Sequence, residues 1–139
     1  MPTLPDDFAP HPARDASLAS MQAVESGDKA AWLALFADDG VIQDPIGVSP
    51  LDPTGEGHRG PAAREAFYDM IIGPNTITFD IVRSHAGGDH EVANIGTISS
   101  TMADGSVVHT DLAITYYIDD DGKVTALRAY WEMDKLRFG

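Results

Sequence analysis

Apolar residues at helical spacing mark the first part of the chain. Leu18, Met21 and Val24 recur at every third position, so they fall mainly on one face of a helix. Asp15 can cap this helix, and Ser26-Gly27 is typical of its end. The pattern therefore predicts an amphipathic helix that packs on the core with one side.

Two further helices follow from the same kind of pattern. Asp28 can cap the second, and the segment 30–36 is so dense in apolar residues that it should be largely buried against a sheet. Pro61 suits the first position of the third helix, which runs to Ile71 and stops at Gly73-Pro74. Three helices are thus predicted before the main run of strands.

The second half of the chain is β by period and composition. The expected long strands are Thr76 to His85, Glu91 to Met102, Val107 to Ile118 and Val124 to Met133. Turn signals separate them at Gly87-Gly88, Asp104-Gly105 and Asp121-Gly122. An extended segment, 40–44, and a long ordered loop, 45–60, lie earlier. Helices followed by an antiparallel meander predict an α+β fold, with a cavity between the helices and a curved sheet.

Composition limits what such a domain can do. With 139 residues, 43% of them apolar, the chain predicts a single domain over 16–139 after a flexible lead-in, 1–15. A net charge of -13 argues against nucleic acid as a partner. No cysteine is present, which excludes thiol chemistry and fits a cytoplasmic, reducing location. No apolar run is long enough to span a membrane, and the histidines have no metal-ligand spacing.

Asp44 is the strongest candidate for chemistry. It ends a short apolar run just before Pro45 and Gly47. A pocket that disfavours the charge of a carboxylate raises its pKa towards the working pH, which suits a proton carrier. The alternative is a turn carboxylate, since Asp-Pro commonly opens turns.

Four motifs in this order resemble the NTF2-like superfamily and its ketosteroid isomerase branch. They are Gly27-Asp28, Ala37-Asp38-Asp39 followed by Asp44-Pro45-Ile46-Gly47, Phe67-Tyr68, and Ala129-Tyr130-Trp131. The resemblance covers about residues 17–139 and is greatest to actinobacterial steroid Δ-isomerases, with SnoaL-like proteins as relatives. It implies an NTF2-like or cystatin-like cone, in which three N-terminal helices pack on a curved, mostly antiparallel sheet enclosing a pocket.

The resemblance also implies a reaction. In the family an aspartate takes a proton from the carbon beside a carbonyl and returns it further along the conjugated system, while an oxyanion hole stabilises the dienolate. No cofactor is involved. Asp44 takes the position of the base, but Ser20 and Ile114 occupy the positions of the family's two oxyanion donors. The resemblance therefore implies an atypical oxyanion hole.

Strand alternation indicates which residues could replace those donors. If Ile114 faces the cavity, then Thr110, Leu112 and Tyr116 face it too, while Asp111 points outward unless a bulge shifts the register. Tyr116 is the better candidate, and the indole N–H of Trp131 is another. The candidate donors and pocket residues are Tyr116, Trp131, Ser20, Ile114, Tyr68, Phe36, Leu127 and Leu112.

Three functions stay open at this point. The first is a steroid Δ5-isomerase-like enzyme acting on a hydrophobic carbonyl compound. The second is a non-catalytic steroid-binding module, and the third is a SnoaL-like cyclase or hydrolase that uses the same pocket. Relatives pair through the outer sheet face, so the resemblance also implies a homodimer, with His109, Ala113, Thr115 and Tyr117 pointing outward.

Overall fold

Helical segments precede most of a seven-stranded sheet, as the hydrophobic pattern predicts. The structure is a computed structural model that describes residues 1–139. Its helices are α1 (Pro12–Ser26), α2 (Lys29–Leu33) and α3 (Pro61–Phe67). Its strands are β1 (Phe36–Gln43), β2 (His58–Arg59), β3 (Thr76–Gly87), β4 (Glu91–Thr101), β5 (Val107–Ile118), β6 (Val124–Tyr130) and β7 (Arg137–Phe138). No helix is both long and apolar enough to cross a membrane.

The first helix begins earlier than predicted. His11 rather than Asp15 caps it, because Nδ1 of His11 accepts a hydrogen bond from the amide of Ala13 at 3.1 Å and Pro12 follows with a preset φ. Asp15 lies in the first turn instead, where a carboxylate is favourable near the helix N-terminus. Gly27 ends the helix at a φ of 71°.

The second helix is shorter than predicted and gives way to a strand. Oδ1 of Asp28 caps it by accepting from the amide of Ala31 at 3.0 Å, as the sequence indicates. The apolar residues after Leu33 do not continue the helix, because Phe36 pairs in register with Val124 of β6. A buried strand satisfies the backbone of this segment as fully as a helix would.

One parallel pairing organises the sheet. Its strand order is β2-β1-β6-β5-β4-β3, and β7 pairs with β5 at one end. All neighbours are antiparallel except β1 and β6. This confirms the α+β class and the mostly antiparallel sheet. The last long strand ends at Tyr130 rather than Met133, because the chain turns through a short 3-10 segment, Met133–Lys135, before β7.

The core lies between α1, α2 and the inner sheet face. Its largest fully buried side chains include Trp32, Tyr116, Met21 and Ile42. The N-terminal lead-in contacts the far edge of the sheet, where Thr3 forms a parallel bridge to Asp80 of β3. The amide of Thr3 donates to the carbonyl of Phe79 at 2.9 Å. This segment therefore packs on the sheet edge.

Gly96 lies opposite a β-bulge, where the backbones of β3 and β4 approach closely. A Cβ at this position would stand 2.9 Å from the Cα of Ile81, which is backbone that cannot move aside easily. We expect Gly96→Ala to lower the free energy of unfolding by about 1–3 kcal/mol, as overpacking does. Chemical denaturation measures this change. Gly87→Ala is the control, because a Cβ there meets no atom within 4 Å. Equal stability of both variants would contradict the prediction.

Candidate functional site

A largely apolar cavity of about 340 Å³ lies between the helices and the inner face of the sheet. Nineteen of its 24 lining residues are hydrophobic, which makes it a poor site for a strongly hydrated ligand. Its polar members are Ser20, Asp44, Asn75, Ser100 and Thr110, together with the hydroxyl of Tyr116. Asp44 is the one carboxylate in the wall.

The parallel pairing of β1 with β6 places Asp44 at this cavity. Gln43, the last residue of β1, lies in register with Arg128, and the amide of Ile46 donates to the carbonyl of Ala129 at 3.2 Å. Both contacts hold the turn after β1 against β6. The carboxylate of Asp44 therefore lies beside the indole of Trp131, whose Nε1 donates to Oδ1 at 2.5 Å.

The surroundings of Asp44 raise its pKa above the ordinary value. Burial is the largest cause, because protein rather than bulk water surrounds the carboxylate and its remaining accessible surface faces the cavity. The hydrogen bond from Trp131 and the electrostatic influence of His58 act in the opposite direction and offset burial only in part. Asp44 is thus a carboxylate that holds a proton more readily than a surface aspartate does.

Three buried polar side chains meet on another part of the wall. Oγ of Ser20 accepts a hydrogen bond from Nε1 of Trp32 at 3.1 Å and one from the hydroxyl of Tyr116 at 2.9 Å. Burial raises the pKa of Tyr116, and the nearby charge of Asp44 acts in the same direction. The tyrosine therefore stays protonated and able to donate.

The structure brings some of the predicted pocket residues to the cavity and not others. Asp44, Ser20, Ile114, Tyr116, Leu127 and Trp131 line it. Phe36, Tyr68 and Leu112 are buried in the core and do not. Phe36 and Tyr68 pack on Trp32 instead, with ring centroids at 4.9 Å and 5.5 Å. The indole N–H of Trp131, expected as a donor to a ligand, is held by Asp44.

Strand alternation predicted three cavity-lining residues of β5 and the outward side of the strand, but Leu112, which it also placed at the cavity, is buried in the core without lining it. Thr110, Ile114 and Tyr116 line the cavity, whereas Asp111 points outward and binds Arg137 of β7 through two hydrogen bonds, at 2.8 Å and 2.9 Å. This ion pair, with a bond from Thr97, holds the pKa of Asp111 well below its usual range. No bulge turns Asp111 inward.

Several lining residues were missed by the sequence analysis. Trp32 falls in an apolar segment that predicts only burial, and Leu136 and Phe138 lie beyond the predicted strands, although they alternate as cavity-facing residues of a strand do. Met70, Ile71 and Ile72 line the cavity because α3 continues as a π-helical turn, Tyr68–Ile72. Nothing in the local sequence announces that turn. No three His, Asp or Glu side chains come together as metal ligands would.

Comparison with known proteins adds a family and several relatives. Residues 18–127 match the family described as SnoaL-like domain. A steroid Delta-isomerase from Nocardioides simplex is 30% identical over 111 residues, which is 80% of this chain and 82% of that protein. Similarity to this relative extends over most of both proteins.

Two similar proteins have solved structures. A Delta 5-3-ketosteroid isomerase from Mycobacterium sp. is 40% identical with a TM-score of 0.83, covering 94% of this chain and 100% of that one. A Mycobacterium tuberculosis protein in complex with estradiol-17beta-hemisuccinate is 35% identical with a TM-score of 0.89, covering 93% and 100% of the two chains.

Removing the indole donor tests what controls the pKa of Asp44. We expect Trp131→Phe to raise the pKa of Asp44 further, because the lost hydrogen bond stabilises the ionised carboxylate. The ¹³C chemical shift of the Asp44 carboxyl carbon, followed against pH, measures this pKa. Tyr130→Phe is the control, since the ring of Tyr130 is largely exposed. An unchanged or lower pKa in Trp131→Phe would show that this bond does not stabilise the charge.

Proposed function

Since this chain belongs to the SnoaL-like domain family and to the ketosteroid isomerase branch of NTF2-like proteins, we propose that it isomerises a steroid-like carbonyl compound. Asp44 is the general base of the proposed reaction. It takes a proton from the carbon beside the carbonyl group, and the electrons move onto the carbonyl oxygen as a dienolate. The same side chain then returns the proton further along the conjugated system. No net oxidation occurs, so the proposed step needs no redox cofactor.

One observation carries this proposal: a single carboxylate with a raised pKa lines an otherwise apolar cavity. A general base works best when its pKa lies near the operating pH, and burial moves Asp44 in that direction. Removal from bulk water also strengthens its interaction with a polarised C–H bond. A carboxylate exposed on a turn would have neither property.

The cavity supports a ligand of matching chemistry. Its volume of about 340 Å³ and its hydrophobic lining suit a rigid, mostly apolar molecule with few oxygen atoms. The names of the relatives point to the same class, since two are steroid isomerases and a third was solved with an estradiol derivative. A steroid with a carbonyl group is therefore the proposed ligand.

A binding module without turnover is the second candidate, and Ile114 favours it. This side chain lines the cavity at the position where the family resemblance implies an oxyanion donor, and it has no group to donate. Losing one such donor typically costs about two to three powers of ten in rate.

A SnoaL-like cyclase or hydrolase would need a further acid or base, and Asp44 is the one carboxylate in the wall.

Replacement of the base separates the first two candidates. We expect Asp44→Ala to lower the rate of isomerisation of a Δ5-3-ketosteroid by about 10²–10⁴, the usual contribution of a general base, while steroid affinity changes little. Ultraviolet absorbance of the conjugated product measures the rate. Asp39→Asn is the control, because Asp39 is an exposed aspartate on β1, the strand that precedes Asp44. Equal rates for wild type and Asp44→Ala would remove the enzymatic proposal, and tight binding without turnover would favour the binding module.

We also propose that two copies pair through the outer face of the sheet. His109, Ala113, Thr115 and Tyr117 lie on the face of β5 that points away from the cavity, since the alternate residues line it. Small and mixed side chains of this kind suit a closed, self-complementary interface. Light scattering at micromolar concentration should give twice the monomer mass, and a monomer would contradict pairing.

A cytoplasmic location stays a prediction from the cysteine-free composition.

A further inference from the structure

Two hydrogen-bond donors meet at a single serine in the cavity wall. Ser20, Trp32 and Tyr116 are each at most 2% exposed, and all three line the cavity. Oγ of Ser20 lies 3.1 Å from Nε1 of Trp32 and 2.9 Å from the hydroxyl oxygen of Tyr116. Two hydrogen bonds therefore join the serine hydroxyl, the tyrosine hydroxyl and the indole N–H. Each of these three groups carries one proton that it can donate.

Counting those protons leaves one without a partner. The indole of Trp32 can only donate, so Oγ of Ser20 must accept from it. The contact between Ser20 and Tyr116 uses one of the two hydroxyl protons, whichever residue donates. The other hydroxyl proton is left over in both arrangements.

The helix backbone does not take up this proton. Ser17 and Ser26 on the same helix donate to the carbonyls three residues earlier, Ser17 at 2.7 Å and Ser26 at 3.2 Å. Ser20 makes no such bond, and neither hydroxyl of the pair is hydrogen-bonded to Asp44. No further protein acceptor is hydrogen-bonded to the pair, so the proton is available to an acceptor that enters the cavity.

We infer that Ser20 and Tyr116 form a shared donor that offers one O–H to the carbonyl oxygen of a ligand, and that Trp32 positions it. This inference rests on the proposed function, because the acceptor is the oxygen on which the dienolate charge develops. A buried donor without a partner is costly, so an oxygen acceptor is favoured at this point. The bond strengthens as the oxygen becomes negative.

Trp32 acts through the serine rather than on the ligand. A hydroxyl that accepts hydrogen bonds becomes a better donor, because neighbouring bonds in a chain polarise one another. The indole is held by the rings of Phe36 and Tyr68, so its N–H keeps pointing at Ser20. Trp32 is accordingly a positioning residue.

A shared donor predicts that either hydroxyl can partly replace the other. In Tyr116→Phe, Ser20 still accepts from Trp32 and keeps its own proton for the ligand. In Ser20→Ala, the hydroxyl of Tyr116 loses its acceptor and becomes free to donate. Each single substitution should therefore change the hydrogen bond to the ligand by less than half as much as the double substitution does. Such non-additivity is the sign of coupled neighbours.

The carbonyl stretch of a bound steroid tests this inference. The probe is androst-4-ene-3,17-dione labelled with ¹³C at C3, and infrared difference spectra give the frequency of that carbonyl. On wild type the band should lie well below its position in hexane, since a hydrogen bond weakens the C=O bond. The variant that combines Ser20→Ala with Tyr116→Phe should move it back towards the hexane position and weaken binding at least tenfold. Trp32→Phe should give a smaller shift in the same direction.

Matched controls separate a loss of hydrogen bonding from a general disturbance of the core. Ser17→Ala removes a buried serine one turn earlier on α1, and Tyr117→Phe removes a hydroxyl from the outer face of β5. Both should leave the carbonyl frequency unchanged. A second measurement needs no variant: binding of the steroid to wild type should produce one new hydroxyl proton resonance far downfield.

The outcomes distinguish this inference from the proposed function. If the double variant binds the steroid with an unchanged frequency, or if one single variant alone removes the whole shift, the shared donor is wrong while turnover that depends on Asp44 can still stand. Absence of the downfield proton from the bound wild type overturns the shared donor as well. If wild type binds no steroid, both proposals fail together.

Discussion

Burial and hydrogen bonding act on the pKa of Asp44 in opposite directions, and their balance determines how readily this carboxylate holds a proton. Burial raises the pKa of Asp44 and so favours its protonated form, whereas a fully solvated carboxylate would keep the lower pKa of a surface aspartate. The indole N–H of Trp131 keeps the ionised form accessible without restoring water. The fold must therefore place the indole of Trp131 next to the carboxylate of Asp44 in an otherwise apolar cavity wall.

The single parallel strand pair of the sheet brings these two side chains together. Because β1 runs beside β6 in the same direction, the residues that follow both strands leave the sheet at the same end, and Asp44 and Trp131 meet there. Arg128 reinforces this register by donating from Nε to Oε1 of Gln43 at 2.7 Å. The long antiparallel strands then curve around the helices and supply the apolar surface. The contact between Asp44 and Trp131 and the topology of the sheet are thus set by the same strand pairing.

Much of this arrangement can be predicted from the sequence. The features that cannot be predicted share one physical reason. Local signals gave the cap at Asp28, the turn at Gly27 and the alternation along β5, since each depends on neighbouring residues. The features that the sequence did not predict depend on contacts between residues far apart in the chain. The strand at Phe36 depends on Val124, and the engagement of Trp131 depends on Asp44, 87 positions earlier. Trp32 has the sequence pattern of a core residue, because its hydrogen-bond acceptor, Ser20, lies on another helix and the tyrosine that completes the group lies on β5.

The π-helical turn that follows α3 has a consequence for how the protein can change. Met70, Ile71 and Ile72 are consecutive and all line the cavity, and the π-helical turn that carries them spaces their side chains differently from a regular helix. This wall lies on a different element from Asp44, Trp131 and the serine–tyrosine pair. For the proposed reaction, substitutions at these three positions would change the shape of the molecule that the cavity accepts, while the groups proposed to move its proton keep their places. Selectivity and reactivity can evolve here along separate paths.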